Sequence, residues 1–204
     1  MKAKRIITIA LAVILAAMSV VSASAAVQLT EDSPSGNTEV KAKIVGNPGE
    51  VSYIISIPDV VDFGTLEIPA DDSQDYDRDV TYDVEATQID GLNTEAQAVA
   101  VYVKADGSSA EDRNFYIANK ENASIKFAYD VYRSAGEGNV DESTNVNHGD
   151  YFTNGYYLTS FKTTGEILNG TLRFHQKQLY GQNIADIAGD YSGYMVFFST
   201  IEDI

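Results

Sequence analysis

Residues 79–87 alternate without a slip: Val80, Tyr82, Val84 and Ala86 take one set of positions, and Asp79, Thr81, Asp83, Glu85 and Thr87 the other. Successive side chains of a strand point to opposite faces, so a period of two rich in β-branched and aromatic residues predicts a half-buried strand. Val51, Tyr53, Ile55 and Ile57 repeat the pattern, and so do Ile125, Phe127, Tyr129 and Val131. Residues 98–103 and 194–201 are apolar on both faces, as expected of central strands covered on each side. Weaker strand signals run over 40–45, 61–67, 114–118, 156–162 and 166–175. No segment carries a persuasive helical repeat, and only Gln178–Ile187 fits a short helical turn before the last strand. About eight to ten strands with closely spaced turn signals predict an all-β fold, a single β-sandwich of immunoglobulin-like or jelly-roll-like type. Uneven strand lengths argue against a closed up-and-down barrel.

The first residues change the picture from fold to location. Lys2, Lys4 and Arg5 precede the uncharged apolar run Ile6–Met18, and Ala23-Ser24-Ala25 supplies a small-residue cleavage signal. This is the pattern of a secretory signal peptide over 1–25, and its removal leaves no membrane span. The polar, turn-rich stretch 26–39 reads as a flexible tail, and 40–204 as the sandwich domain. The expected location is therefore extracellular, secreted or held at the cell surface.

Charge and cysteine usage narrow the partners. The chain carries a net charge of −16 and no cysteine. Such an acidic balance repels phosphates and excludes nucleic acid as a partner. It favours a protein or glycan at the cell surface, cations, or further copies of the chain. Exported proteins use disulfides where the compartment oxidises thiols, and this one has none to use.

Several constellations invite a chemical reading. Asp62-Phe63-Gly64 spells the magnesium-binding triplet of kinases, but no G-x-G-x-x-G loop, V-A-I-K lysine or H-R-D loop accompanies it. Its physical content is geometric: Pro58 and Pro69 bound the stretch, Gly64 permits a bulge, and Phe63 reads as a core anchor at a sandwich corner. The chain's two histidines, His148 and His175, stand near no G-x-S-x-G elbow and no H-E-x-x-H. No catalytic set emerges, and the chain reads as a non-enzyme.

Asp71, Asp75 and Asp77 belong to the densest acidic run, an oxygen-rich cluster of the kind that suits calcium. The EF-hand pattern fails, because counting from Asp75 puts Val80 where that loop needs Gly and Ala86 where it needs Glu. The alternative is a solvated turn leading into an edge strand. No other cofactor is implied. Tyrosines gather around 133–150, the longest loop, rich in Gly, Asn, Asp and Ser and expected to be flexible: Tyr132 before it, and Tyr151, Tyr156 and Tyr157 after it. Such a rim stacks on sugars or grips a protein, or else simply fills the pleated surface. Lys43, Lys126 and Lys162 lie in strand segments and are candidates for a Lys–Asn covalent staple, with no pattern selecting a pair.

Two segments carry a resemblance. Ile57-Pro58-Asp59-Val60-Val61-Asp62-Phe63-Gly64-Thr65 resembles the x-F-G-x early strand of exported Gram-positive β-sandwich proteins, including the WxL-type cell-surface domains. Ala188-Gly189-Asp190-Tyr191-Ser192-Gly193-Tyr194 is similar to the A-G-x-Y-x-G lead into their closing strand, where Tyr191 would make a tyrosine corner. The chain has no tryptophan and so no W-x-L motif. The resemblance implies a secreted or surface-associated β-sandwich with an adhesion, matrix or envelope role. Two functional expectations follow. One is adhesion or fibre assembly, in which Val40–Ile44 pairs with a neighbouring subunit's open edge. The other is a carbohydrate-binding or calcium-dependent domain built on the Tyr-rich strands and the 133–150 loop.

Overall fold

The computed structural model describes residues 50–204 apart from 137 and 139. The expected signal peptide, the tail and the 40–45 strand lie outside the described residues. Ten strands form two antiparallel sheets, as a β-sandwich. Sheet A has the order β1-β2-β8-β5-β4-β9, from β1 (Ser52–Ser56), β2 (Asp77–Asp90), β8 (Ile167–His175), β5 (Lys126–Tyr132), β4 (Phe115–Asn119) and β9 (Tyr191–Ser192). Sheet B has the order β10-β3-β7-β6, from β10 (Met195–Asp203), β3 (Gln97–Ala105), β7 (Gly155–Phe161) and β6 (Tyr151–Phe152). The helical expectation over 178–187 resolves into a 3-10 turn, Gln176–Leu179, and one short helix, α1 (Ile184–Ile187).

The alternation of 79–87 does what its period demands: Tyr82, Val84 and Ala86 are buried while Thr81, Asp83 and Thr87 are exposed. Val101 and Val103 of β3 and Leu158 and Phe161 of β7 meet Phe115, Tyr129, Leu172 and Phe174 from the opposite sheet. These large, fully buried side chains supply the main hydrophobic driving force. Gly170 of β8 sits opposite Tyr82 in the β2–β8 ladder, and any Cβ there would overlap the Tyr82 ring. The absence of a side chain lets that ring lie across β8, where its hydroxyl donates to the Tyr132 carbonyl at 3.0 Å.

Three expectations need correction. Residues 194–201 are not a central strand: among the described residues β10 pairs with β3 alone, and Val196 and Phe198 are 38% and 45% exposed. Residues 61–67 are not a strand, although Val61, Phe63 and Leu66 pack against the core. The loop 133–150 is not simply flexible. It forms 3-10 turns at Glu142–Thr144 and Val146–His148, and it buries Val140, Asn145 and Val146 against the sandwich.

The two ends of the sandwich differ. Ser52 pairs with Asp90, Asp203 with Gln97, and Ile204 N–H donates to Ala96 O, so β1 begins and β10 ends at one pole. Ile57, where β1 has ended, and Met195, where β10 begins, lie toward the other.

Candidate functional site

At that second pole the chain leaves an unusual backbone arrangement. Residues 57–70 run on from β1 without forming a strand. Among the described residues this stretch makes no backbone–backbone hydrogen bond. Three side-chain-mediated bonds hold it: Gly64 N–H donates to Asp62 Oδ1, Glu67 N–H donates to Gln176 Oε1, and Arg78 Nε donates to Phe63 O at 3.0 Å. Gly64 has φ +68, in the left-handed region that favours glycine, which closes the Asp62 turn. Phe63 anchors the segment at 7% exposure, its ring centroid 5.8 Å from those of both Tyr129 and Phe174.

Beside this segment lies the edge of β10 that is unpaired among the described residues. Tyr194 O accepts from Asp106 N–H and Ile204 N–H donates to Ala96 O, so the even-numbered residues of β10 bond toward β3. Alternation in an antiparallel ladder then turns the N–H and C=O of Met195, Phe197, Ser199, Ile201 and Asp203 to the open side. Ser199 O accepts from the Tyr53 hydroxyl at 3.0 Å; among the described residues no backbone group meets the others. The edge is apolar on both faces, with Met195 and Phe197 inward and Val196 and Phe198 outward. Long, unpaired apolar edges are templates for a further strand unless charge, proline or a bulge protects them.

Between segment and edge opens a groove of about 1200 Å³. Its floor includes Phe127, Phe174 and Leu179, and its walls are the 57–68 segment and the turn from Ala188 to Phe197. The turn is fixed from below. Tyr191 hydroxyl donates to Ile187 O at 2.6 Å, bonding back to nearby backbone, and its ring lies 5.6 Å from that of Phe127. Gly193 packs so closely on Tyr116 O that no Cβ fits. Charged residues on the groove are Asp59, Asp62, Glu67 and Asp190 against Lys120, with Arg78 close by.

The tyrosines of the 133–150 region do not form one exposed rim. Tyr132 is 1% exposed, with its hydroxyl donating to Glu142 Oε2 at 3.0 Å. Tyr156 is 6% exposed in the core, edge-on to Tyr151 at 4.8 Å. Tyr151 and Tyr157 are half-buried, Tyr151 under the Arg113 guanidinium and Tyr157 edge-on to Tyr102. The aspartates likewise separate. Asp71 Oδ1 accepts from Ser73 and Tyr76, Asp75 pairs with Lys177, and Asp77 pairs with Arg173 and His175. The Ser73 and Tyr76 hydrogen bonds hold the Asp71 carboxyl below its ordinary range. Among the described residues no His/Asp/Glu group has the arrangement of a metal site. Lys126 pairs with Asp112 at 3.3 Å, Lys162 is exposed, and Lys43 lies outside the described residues.

A charge cluster escaped the sequence reading. On the outer face of sheet A, Arg173 reaches Asp79 through Nε at 2.8 Å and Nη2 at 2.9 Å, Asp77 at 3.2 Å and Glu142 at 3.0 Å. Burial pushes the Asp79 carboxyl up, but hydrogen bonds from Arg173 and Gly138 N–H outweigh it and hold the group below the usual carboxylate range. The same Asp79 bond raises Arg173. His148 is exposed, whereas His175 bridges Asp77 at 2.6 Å and Asp130 at 3.0 Å. The Asp130 bond first, against the opposing effect of burial, and then Asp77 raise it to about 9. The only sequence signal was a charged outward position on each of three strands.

No family model matches the chain, and no curated protein matches it. Among solved structures it is similar to a chain from a chaperone–tip adhesin complex of CFA/I fimbriae biogenesis. The identity is 17% and the TM-score 0.39, over 72% of this chain and 41% of that one. At that TM-score the overlay carries nothing about function.

Proposed function

We propose that the protein is an exported, non-enzymatic surface module that acts in adhesion or fibre assembly by accepting an extended strand at the free edge of β10. The supporting observation is that edge itself: nine residues, paired on one side among the described residues, apolar on both faces over Met195–Phe198, and next to an apolar groove. Main-chain hydrogen bonds to the unpaired groups give an added strand its affinity, and alternate side chains entering the groove give it specificity. The signal-peptide pattern of residues 1–25 supports an exported module. A basic or nucleic-acid-binding surface has no counterpart in so acidic a chain.

The test is concentration-dependent association of the secreted chain, followed by light scattering and electron microscopy. Lysine at positions 196 and 198 (Val196→Lys with Phe198→Lys) leaves the fold intact, because both side chains are exposed, and charges the edge. Association that the double variant abolishes is the expected result. A secreted chain that stays monomeric at every concentration and binds no extended peptide refutes the reading.

A further inference from the structure

We infer that the groove between the 57–68 segment and β10 receives residues 40–45 of a second copy of this chain, apolar side chains inward and lysines against the acidic rim. This rests on strand addition at β10 and names the strand. The groove's volume, about 1200 Å³, exceeds the range of small-molecule pockets and suits a length of polypeptide. Its apolar floor and the neighbouring unpaired backbone groups together call for an extended segment with a period of two.

Val40-Lys41-Ala42-Lys43-Ile44-Val45 has that period: Val40, Ala42 and Ile44 share one face, and Lys41 and Lys43 the other. The charges agree as well. The groove is bordered by Asp59, Asp62, Glu67 and Asp190 against Lys120 and the nearby Arg78. In a chain with 14 Lys and Arg against 30 Asp and Glu, a run carrying two lysines and no acid stands apart.

Reach decides between the chain's own segment and another copy's. From Glu50 the chain runs the length of β1 before it meets the groove at Ile57, seven residues and roughly 20 Å at strand rise. From Glu50 back to Val45, five residues span at most about 18 Å. The whole six-residue run therefore does not fit into the groove of its own chain, but a neighbour's run enters freely.

The chain has no cysteine, so single cysteines report contacts cleanly. Secreted chain carrying Ala42→Cys is mixed with differently tagged chain carrying Thr65→Cys, or Met195→Cys, and oxidised. Thr65 and Met195 both line the groove, and Thr65 is exposed, so its replacement leaves folding intact. The expected result is a mixed disulfide dimer, falling about tenfold when Lys41→Glu and Lys43→Glu reverse the charges. Association without any mixed disulfide overturns the assignment of residues 40–45 while leaving strand addition at β10 standing. No association at all overturns both. An internal disulfide in the monomeric Ala42→Cys/Thr65→Cys double variant overturns the second copy as donor.

Discussion

Replacing His175 by Gln removes a cation that two carboxylates hold between them, and the effect on stability depends on pH. The ring contacts Asp77 at 2.6 Å and Asp130 at 3.0 Å, which raises its pKa to about 9 from an ordinary 6.5. Because the folded value is the higher one, the protonated bridge contributes fully below pH 6.5, fades between 6.5 and 9, and contributes nothing above. That interval corresponds to an upper bound of about 3 kcal/mol. The His175 side chain is 39% exposed, so solvent screening reduces the effect to about 1–2 kcal/mol. Urea unfolding of His175→Gln and the parent chain, at intervals from pH 5.5 to 9.5, measures the difference directly. Groups remote from the ring titrate alike in both proteins and cancel. The difference should be largest at pH 5.5–6.5 and shrink as the pH passes 9. A difference constant across that range, or an NMR titration placing His175 near 6.5, refutes the bridge as a source of stability.

Other outcomes follow from geometry alone. Phe63→Ala should cost about 3–5 kcal/mol in denaturant unfolding, since its ring packs on Tyr129 and Phe174; Asp62→Ala, which removes only the exposed bond from Gly64 N–H, should cost about 0.5–1 kcal/mol. Gly170→Ala should cost about 2–4 kcal/mol by lifting the Tyr82 ring off β8 and stranding the Tyr132 carbonyl, visible as a lost near-ultraviolet tyrosine circular-dichroism signal. Arg173→Ala should cost about 3–5 kcal/mol in thermal or chemical unfolding, because the Asp79 side chain, 4% exposed, would lose its cationic partner and keep only the Gly138 N–H bond.

The sandwich was legible where one face was wet. Val80 to Ala86 and Phe127 to Val131 alternate because sheet A exposes its outer side, and the period of two reads directly. The same logic misassigned 194–201. Apolar residues on both faces signal a strand with two covered faces, but they do not count its hydrogen-bonded neighbours. Val196 and Phe198 are apolar at an edge instead of in a centre. Residues 61–67 show the complementary failure: Val61 and Phe63 keep a strand's burial, while the segment between Pro58 and Pro69 makes no backbone ladder among the described residues. The groove was illegible for this reason, being defined by a missing ladder. Tyr132 and Tyr156 adjoin the long loop in sequence, yet both point into packed surroundings, a distinction that adjacency cannot make. The Arg173 cluster required the register that sets Asp79 and Asp130 opposite Arg173, and Asp77 opposite His175, which no single strand's pattern reveals.

The two poles of the sandwich also constrain symmetry. The described chain enters at Glu50, at the pole where β1 begins and β10 ends, while the groove opens toward the other. If residues 40–45 are the donor strand proposed above, donor and acceptor are two different patches, and the contact is heterologous. Heterologous contacts close where the rotation between copies closes, and repeat as an open filament where it does not. In the open case the strand addition proposed above would give a polar filament, with a vacant groove at one end and an unused lysine-bearing strand at the other, which a short peptide would cap at one end only.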